Sequence, residues 1–158
     1  MKKWLLILVA IFGFASMGSA QKLDVGFHFG SNPYFSALGG NLGIAFSNSI
    51  GLRIDLDLAL GTGGGGALNA SFGLDANLVF RFPLSPSGSD LYIGPGLFLG
   101  VTGGNANFGI GALLGIEIQL APKVGYFVET SPLFIAFSNP VQFFIGSVML
   151  RTGLNFYL

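Results

Sequence analysis

Few residues in this chain could do chemistry. His28 is the single histidine and there is no cysteine; Asp24 lies before His28 and Ser31 after it. A serine, a histidine and a carboxylate are the parts of a nucleophile activated by a general base, which would make His28 the centre of a lipid-modifying enzyme. The plainer assignment is an interior imidazole held by a hydrogen bond, because Asp24 and His28 share parity and so share a face of any strand that carries them. Nothing near His28 supplies a second imidazole or a thiolate, so no metal site is expected. The run Gly63, Gly64, Gly65, Gly66 lacks the Lys-Ser/Thr pair and the following helix of a phosphate-binding loop, and is read as a loop tip. The chemistry-bearing residues therefore predict a protein that is not an enzyme and takes no cofactor or metal.

The charged residues are more informative. After Lys2 and Lys3 the bases are Lys22, Arg53, Arg81, Lys123 and Arg151, and the acids are Asp24, Asp55, Asp57, Asp75, Asp90, Glu117 and Glu129. Charged residues make up 9% of the chain and hydrophobic ones 51%, against roughly 25% charged in an ordinary soluble domain. No basic cluster offers a surface to nucleic acid.

The elements that must position these charges show in the spacing. From Ile50 to Leu60, apolar Ile50, Leu52, Ile54, Leu56, Leu58 and Leu60 alternate with Gly51, Arg53, Asp55, Asp57 and Ala59. Alternation of this kind is a strand, since a helix would scatter the three charges around its axis. The pattern returns over 68–82, 90–101 and 108–120, and more weakly over 22–30, 38–47, 124–130 and 141–158, an even total of eight. Connections at 31–37, 61–67, 102–107 and 131–140 fall on one side, and those at 48–49, 83–89 and 121–123 on the other. Six of the seven prolines fall in these connections; Pro95 sits mid-strand, where a lost ladder donor predicts a bulge or kink.

With the apolar parity of each strand outward, the interior receives Asp24, Arg53, Asp55, Asp57, Asp75, Arg81, Glu117, Glu129 and Arg151, along with Asn41, Asn69, Asn77 and Gln119. An apolar exterior around a polar interior suits lipid as the outer solvent, and only helices and closed barrels satisfy their backbones there. No segment beyond residue 20 is a long charge-free run. The expected fold is all-β: an eight-stranded antiparallel up-and-down transmembrane barrel with both termini periplasmic and longer loops outside. Its narrow interior should be filled by side chains, forming a charge-paired network. Phe46, Phe80, Phe82, Tyr126 and Phe156, near the turn-side strand ends, suggest an interfacial aromatic girdle.

Lys2 and Lys3, the apolar run from Trp4 to Phe12, and Gly18-Ser19-Ala20 have the layout of a signal peptide. Residues 1–20 are accordingly expected to be cleaved, leaving 21–158 as one barrel domain exported through the inner membrane.

At the other end, Arg151, Gly153, Phe156 and Leu158 resemble the C-terminal assembly signal of outer-membrane barrels: a polar residue, a glycine two positions on, then hydrophobic residues at the antepenultimate and final places. Leu158 replaces the usual final aromatic. Over 21–158 the architecture resembles the small bacterial barrels related to outer membrane proteins A, X and W. That resemblance implies the cell outer membrane as location, outer-membrane lipid as surroundings, and the secretion and barrel-assembly machinery as transient partners of a monomer. The closed, narrow interior and the short loops make the expected function structural or interactive and non-catalytic. Because Gly-rich inward faces could leave a cavity, a barrel that binds or passes a small solute or apolar ligand is the second expectation, and the lipid-modifying enzyme using His28 the third.

Overall fold

The computed structural model describes residues 22–32, 35–62, 68–86, 88–103, 105–137, 142–145 and 149–158. The expected signal peptide, the Gly63–Gly66 run, Pro33 and Pro140 lie outside these residues. The elements are β1 (Lys22–Ser31), β2 (Phe35–Ala45), β3 (Ile50–Thr62), β4 (Leu68–Ser85), β5 (Ser89–Thr102), β6 (Asn105–Ala121), β7 (Val124–Ala136), β8 (Gln142–Ile145) and β9 (Leu150–Tyr157). Each pairs antiparallel with its neighbour in sequence up to β7, and β9 closes the ring by pairing with both β7 and β1. β8 continues the β9 stave, pairing with the upper end of β7 at Leu133–Ala136. The result is a closed barrel of eight staves, the last of them in two pieces.

Most strands run past their expected ends, and in β7 and β4 the extension passes through a proline. β7 continues through residues 131–136, which the sequence marks as loop, and the reason is a bulge opposite Leu113. Ala112 pairs with Leu133 and Leu114 with Thr130, so the single Leu113 faces both Ser131 and Pro132. The extra residue reverses the parity of β7: Gly125, Phe127 and Glu129 face inward before it, and Ala136 after it. A proline costs little in a bulge, where the ladder is already interrupted. β4 likewise runs to Ser85, with a register shift between Pro83 and Ser85. The connection expected at 83–89 thus shrinks to a short turn at 86–88, tightened by Gly88 at φ 90°.

At Pro95 no register shift appears. Its ladder to β6 is continuous, with Pro95 opposite Ala112. On the β4 side the pairing skips from Asn77–Gly96 to Phe80–Ile93 and resumes in the same register, so no bulge forms. Gly94 absorbs the irregularity, because any side chain there would strike the Leu78 carbonyl.

Alternation decides what the barrel shows to its surroundings. Leu38, Leu56, Leu58, Phe72, Leu97 and Phe108 stand out from the wall, Leu58 at 54% exposure, whereas Arg53, Asp55, Asp57, Glu117, Glu129 and Arg151 are buried inside. Phe82, Tyr126 and Phe156 are also exposed and lie toward the turn end. A water-soluble protein has the opposite arrangement. Among the described residues no helix is long and apolar enough to cross a membrane, which says nothing of crossing by strands. Both described ends, Lys22 and Leu158, lie at the short-turn end of the barrel.

Candidate functional site

The inward side chains of the described residues form two polar clusters and border a cavity along the barrel axis. Nearest the short turns, Glu117 on β6 accepts hydrogen bonds from Arg81 on β4 (2.5 Å), Asn155 on β9 (2.6 Å) and Tyr157 on β9 (2.7 Å). Asp90 lies 3.8 Å from the same guanidinium at the rim.

The second cluster lies at mid-height. Arg53 on β3 donates to Asp55 (2.9 Å) and lies 3.0 Å from a Glu129 oxygen on β7, with its guanidinium 4.3 Å above the Phe127 ring. Tyr92 on β5 donates to the same Glu129 oxygen at 2.7 Å. Arg151 on β9 donates to Asp57 at 2.6 Å, donates also to Asp75 on β4, and lies 3.8 Å from Glu129. His28 Nε2 and Asp57 share a hydrogen bond of 2.7 Å.

The glycines of the sequence explain how these long side chains fit. An added Cβ at Gly39 would strike the His28 imidazole, at Gly115 the Tyr92 ring, and at Gly125 the Tyr157 hydroxyl. Each bulky inward group thus lies across a neighbouring stave that carries no side chain. Ladder pairing then places the charges: Asp55 on β3 stands beside Asp75 on β4, and Glu129 on β7 beside Arg151 on β9. In the ring, β7 is four staves from β3, and the β9 stave is four from β4. The Arg53–Glu129 and Arg151–Asp75 pairs therefore span the full diameter of the bore.

The structure brings together Arg53, Asp55, Asp57, Asp75, Glu129 and Arg151 in one cluster, and Arg81 with Glu117 in the other. Asp24 is buried over Gly43 and has no hydrogen bond to either cluster among the described residues. The sequence did not single out Tyr92, Asn155 or Tyr157 for the polar network; their inward parity was the available signal. His28 has Asp57 rather than Asp24 as its partner, and the exposed Ser31 lies on the opposite face of β1, so the two do not form a nucleophile and base. Among the described residues no group of three His, Cys, Asp or Glu could hold a metal ion.

Of the predicted C-terminal signal, Arg151 points into the mid-height cluster, while Phe156 lies on the outer wall, its ring stacked on Phe27 at 6.1 Å. Gly153 lets the β1 backbone approach, since a Cβ there would meet the Phe27 carbonyl and His28.

Tyr92→Phe tests the mid-height cluster. It should lower stability by about 1–3 kcal/mol, because it withdraws a donor from a buried carboxylate without removing the ring. Denaturant unfolding of the refolded barrel measures the change; an unaltered midpoint would show that the Tyr92 hydroxyl carries none of the cluster's stability.

The closed wall, the apolar exterior and the polar bore define an integral membrane β-barrel of eight staves. The N-terminal barrel domain of Pseudomonas aeruginosa OprF has the same fold, with a TM-score of 0.57 at 15% identity over 87% of this chain and 97% of that one. Neisserial surface protein A gives 0.56 at 18% identity over 86% and 94%. Ail, the attachment invasion locus protein of Yersinia pestis, gives 0.52 at 12% identity over 90% and 100%. No protein-family model matches the chain, and no curated protein sequence does.

Proposed function

We propose that this protein is a monomeric barrel of a bacterial outer membrane, sealed across its bore, that performs no catalysis and serves as a structural or interaction element. The observation that carries the proposal is the pair of diameter-spanning contacts, Arg53–Glu129 and Arg151–Asp75, at mid-height of a narrow barrel. Ions crossing the bore would have to part these pairs, leaving buried charges without partners. The periplasmic end is the one with both described ends and the β2–β3, β4–β5 and β6–β7 connections; the opposite connections are not uniformly longer, since β5 ends at Thr102 and β6 begins at Asn105. Export by a cleaved signal over residues 1–20 and insertion by the assembly machinery acting on Arg151, Gly153, Phe156 and Leu158 belong to the same proposal.

Two measurements test it. The protein should fractionate with outer membranes and migrate differently on gels before and after boiling; a soluble protein without that shift would refute the location. Reconstituted in planar bilayers, the wild type should give no stable conductance steps. A steady open channel would refute the seal.

A further inference from the structure

Above the mid-height cluster, on the side away from the short turns, the interior is not filled. A cavity of about 170 Å³ lies between β2 to β7 and the β9 stave, bordered by Ala59, Ser71, Gly73, Gly96, Gly100 and Gly111. These small residues and Ala37 leave unfilled much of the space that larger side chains would occupy, so the bore widens there. Phe98 and Phe134 add aromatic wall, their rings edge to face at 5.0 Å. The space exceeds the cavity of about 150 Å³ that accommodates benzene in an engineered protein.

The floor has a definite charge. Asp57, Asp75 and Arg151 border the cavity from below, and the Arg151 guanidinium is shared among Asp57, Asp75 and, from 3.8 Å, Glu129. Asp75 is 8% exposed, and its Oδ1 has no hydrogen-bond partner among the described residues. That oxygen is sealed from the cavity itself, so a cation above the floor would compensate its charge through space rather than by a direct hydrogen bond. Carboxylates outnumber guanidiniums at this floor, so an anion would be repelled and a neutral ligand would leave the excess uncompensated. The apolar walls suit an organic body better than a hydrated divalent ion, which needs six or more oxygen ligands.

We propose that this cavity binds a small organic cation, an ammonium group on one aromatic ring or short apolar chain, with the ammonium at Asp75 and the apolar body beside Phe98 and Phe134. Entry is from the loop end, where Ser71, Thr102 and Asn107 border the space. The ligand stops at the mid-height cluster, so binding requires no opening of the bore.

The test uses para-fluorobenzylammonium chloride as probe, followed by fluorine NMR with the refolded barrel in zwitterionic micelles and with empty micelles as reference. The wild type should shift the probe signal saturably, and para-fluorobenzyl alcohol, matched in shape but uncharged, should bind more weakly. Asp75→Asn should weaken binding of the cation by about tenfold or more, as expected for removing one of the carboxylate charges beneath the ammonium. Ser71→Phe, which puts a ring into the space without touching the floor, should abolish it. No saturable shift with the wild type would overturn the proposal, as would equal binding of the alcohol or unchanged binding in Asp75→Asn. Folding of each variant is checked by its gel shift; if Asp75→Asn does not fold, Ser71→Phe and the alcohol decide the outcome.

Discussion

Arg151→Leu should lower the unfolding free energy by about 3–5 kcal/mol, the largest effect expected of any single interior substitution. Arg151 is 4% exposed, and its guanidinium serves Asp57, Asp75 and Glu129 together. Leucine fills a similar volume, so the loss is electrostatic: three buried carboxylates lose their shared cation. Urea unfolding of protein refolded into phospholipid vesicles, followed on gels without boiling, reads the change as a lower midpoint. Refolding from urea needs no assembly machinery, so the measurement is independent of any role of Arg151 in the C-terminal signal. Adding Asp75→Asn should restore part of the loss, because it removes one of the stranded charges. If the single variant unfolds at the wild-type midpoint, Arg151 is not the hub of the cluster.

Leu56→Arg should cost about 2–4 kcal/mol, the penalty for a cation facing hydrocarbon near the midplane. Leu56 lies near the middle of β3, 48% exposed on the outer wall, with Gly40 and Leu74 as its ladder partners. Its neighbours in sequence, Asp55 and Asp57, are charged and buried on the other face. The comparison isolates the side of the wall as the cause, since position along the axis hardly changes between adjacent residues. The same unfolding assay in vesicles reads the loss, and equal stability of Leu56→Arg and the wild type would mean that the outer wall does not face lipid.

Much of this arrangement could be read without coordinates because a strand has period two. In β3 the alternation of Arg53, Asp55 and Asp57 with leucine and isoleucine decides which side chains point inward wherever the strand lies in the barrel. Where the period breaks, the inference failed. β7 changes parity at Ser131 and Pro132, and a proline followed by a shifted pattern looks like a loop when the ladder beneath it is unseen. At Pro95 the sequence records the missing donor but not that Gly94 lets the neighbouring strand close in and hold register without a bulge.

The candidate site divides along the same line. That Asp55, Asp57, Asp75, Arg81, Glu117 and Arg151 share the interior follows from alternation on each strand taken alone. Which of them meet depends on stave order, register and how far each side chain reaches across a bore closed by β9. His28 could not be matched to Asp57 from sequence, because the bond crosses 29 positions and passes over Gly39 on the stave between. Inward glycines already allowed for a cavity, but its place was hidden, since Gly73, Gly96, Gly100 and Gly111 are far apart in the chain and only the register sets them around one space. Local periodicity, a property of adjacent residues, determined the faces; closure of the barrel, a property of residues far apart, decided the partners and the space left between them.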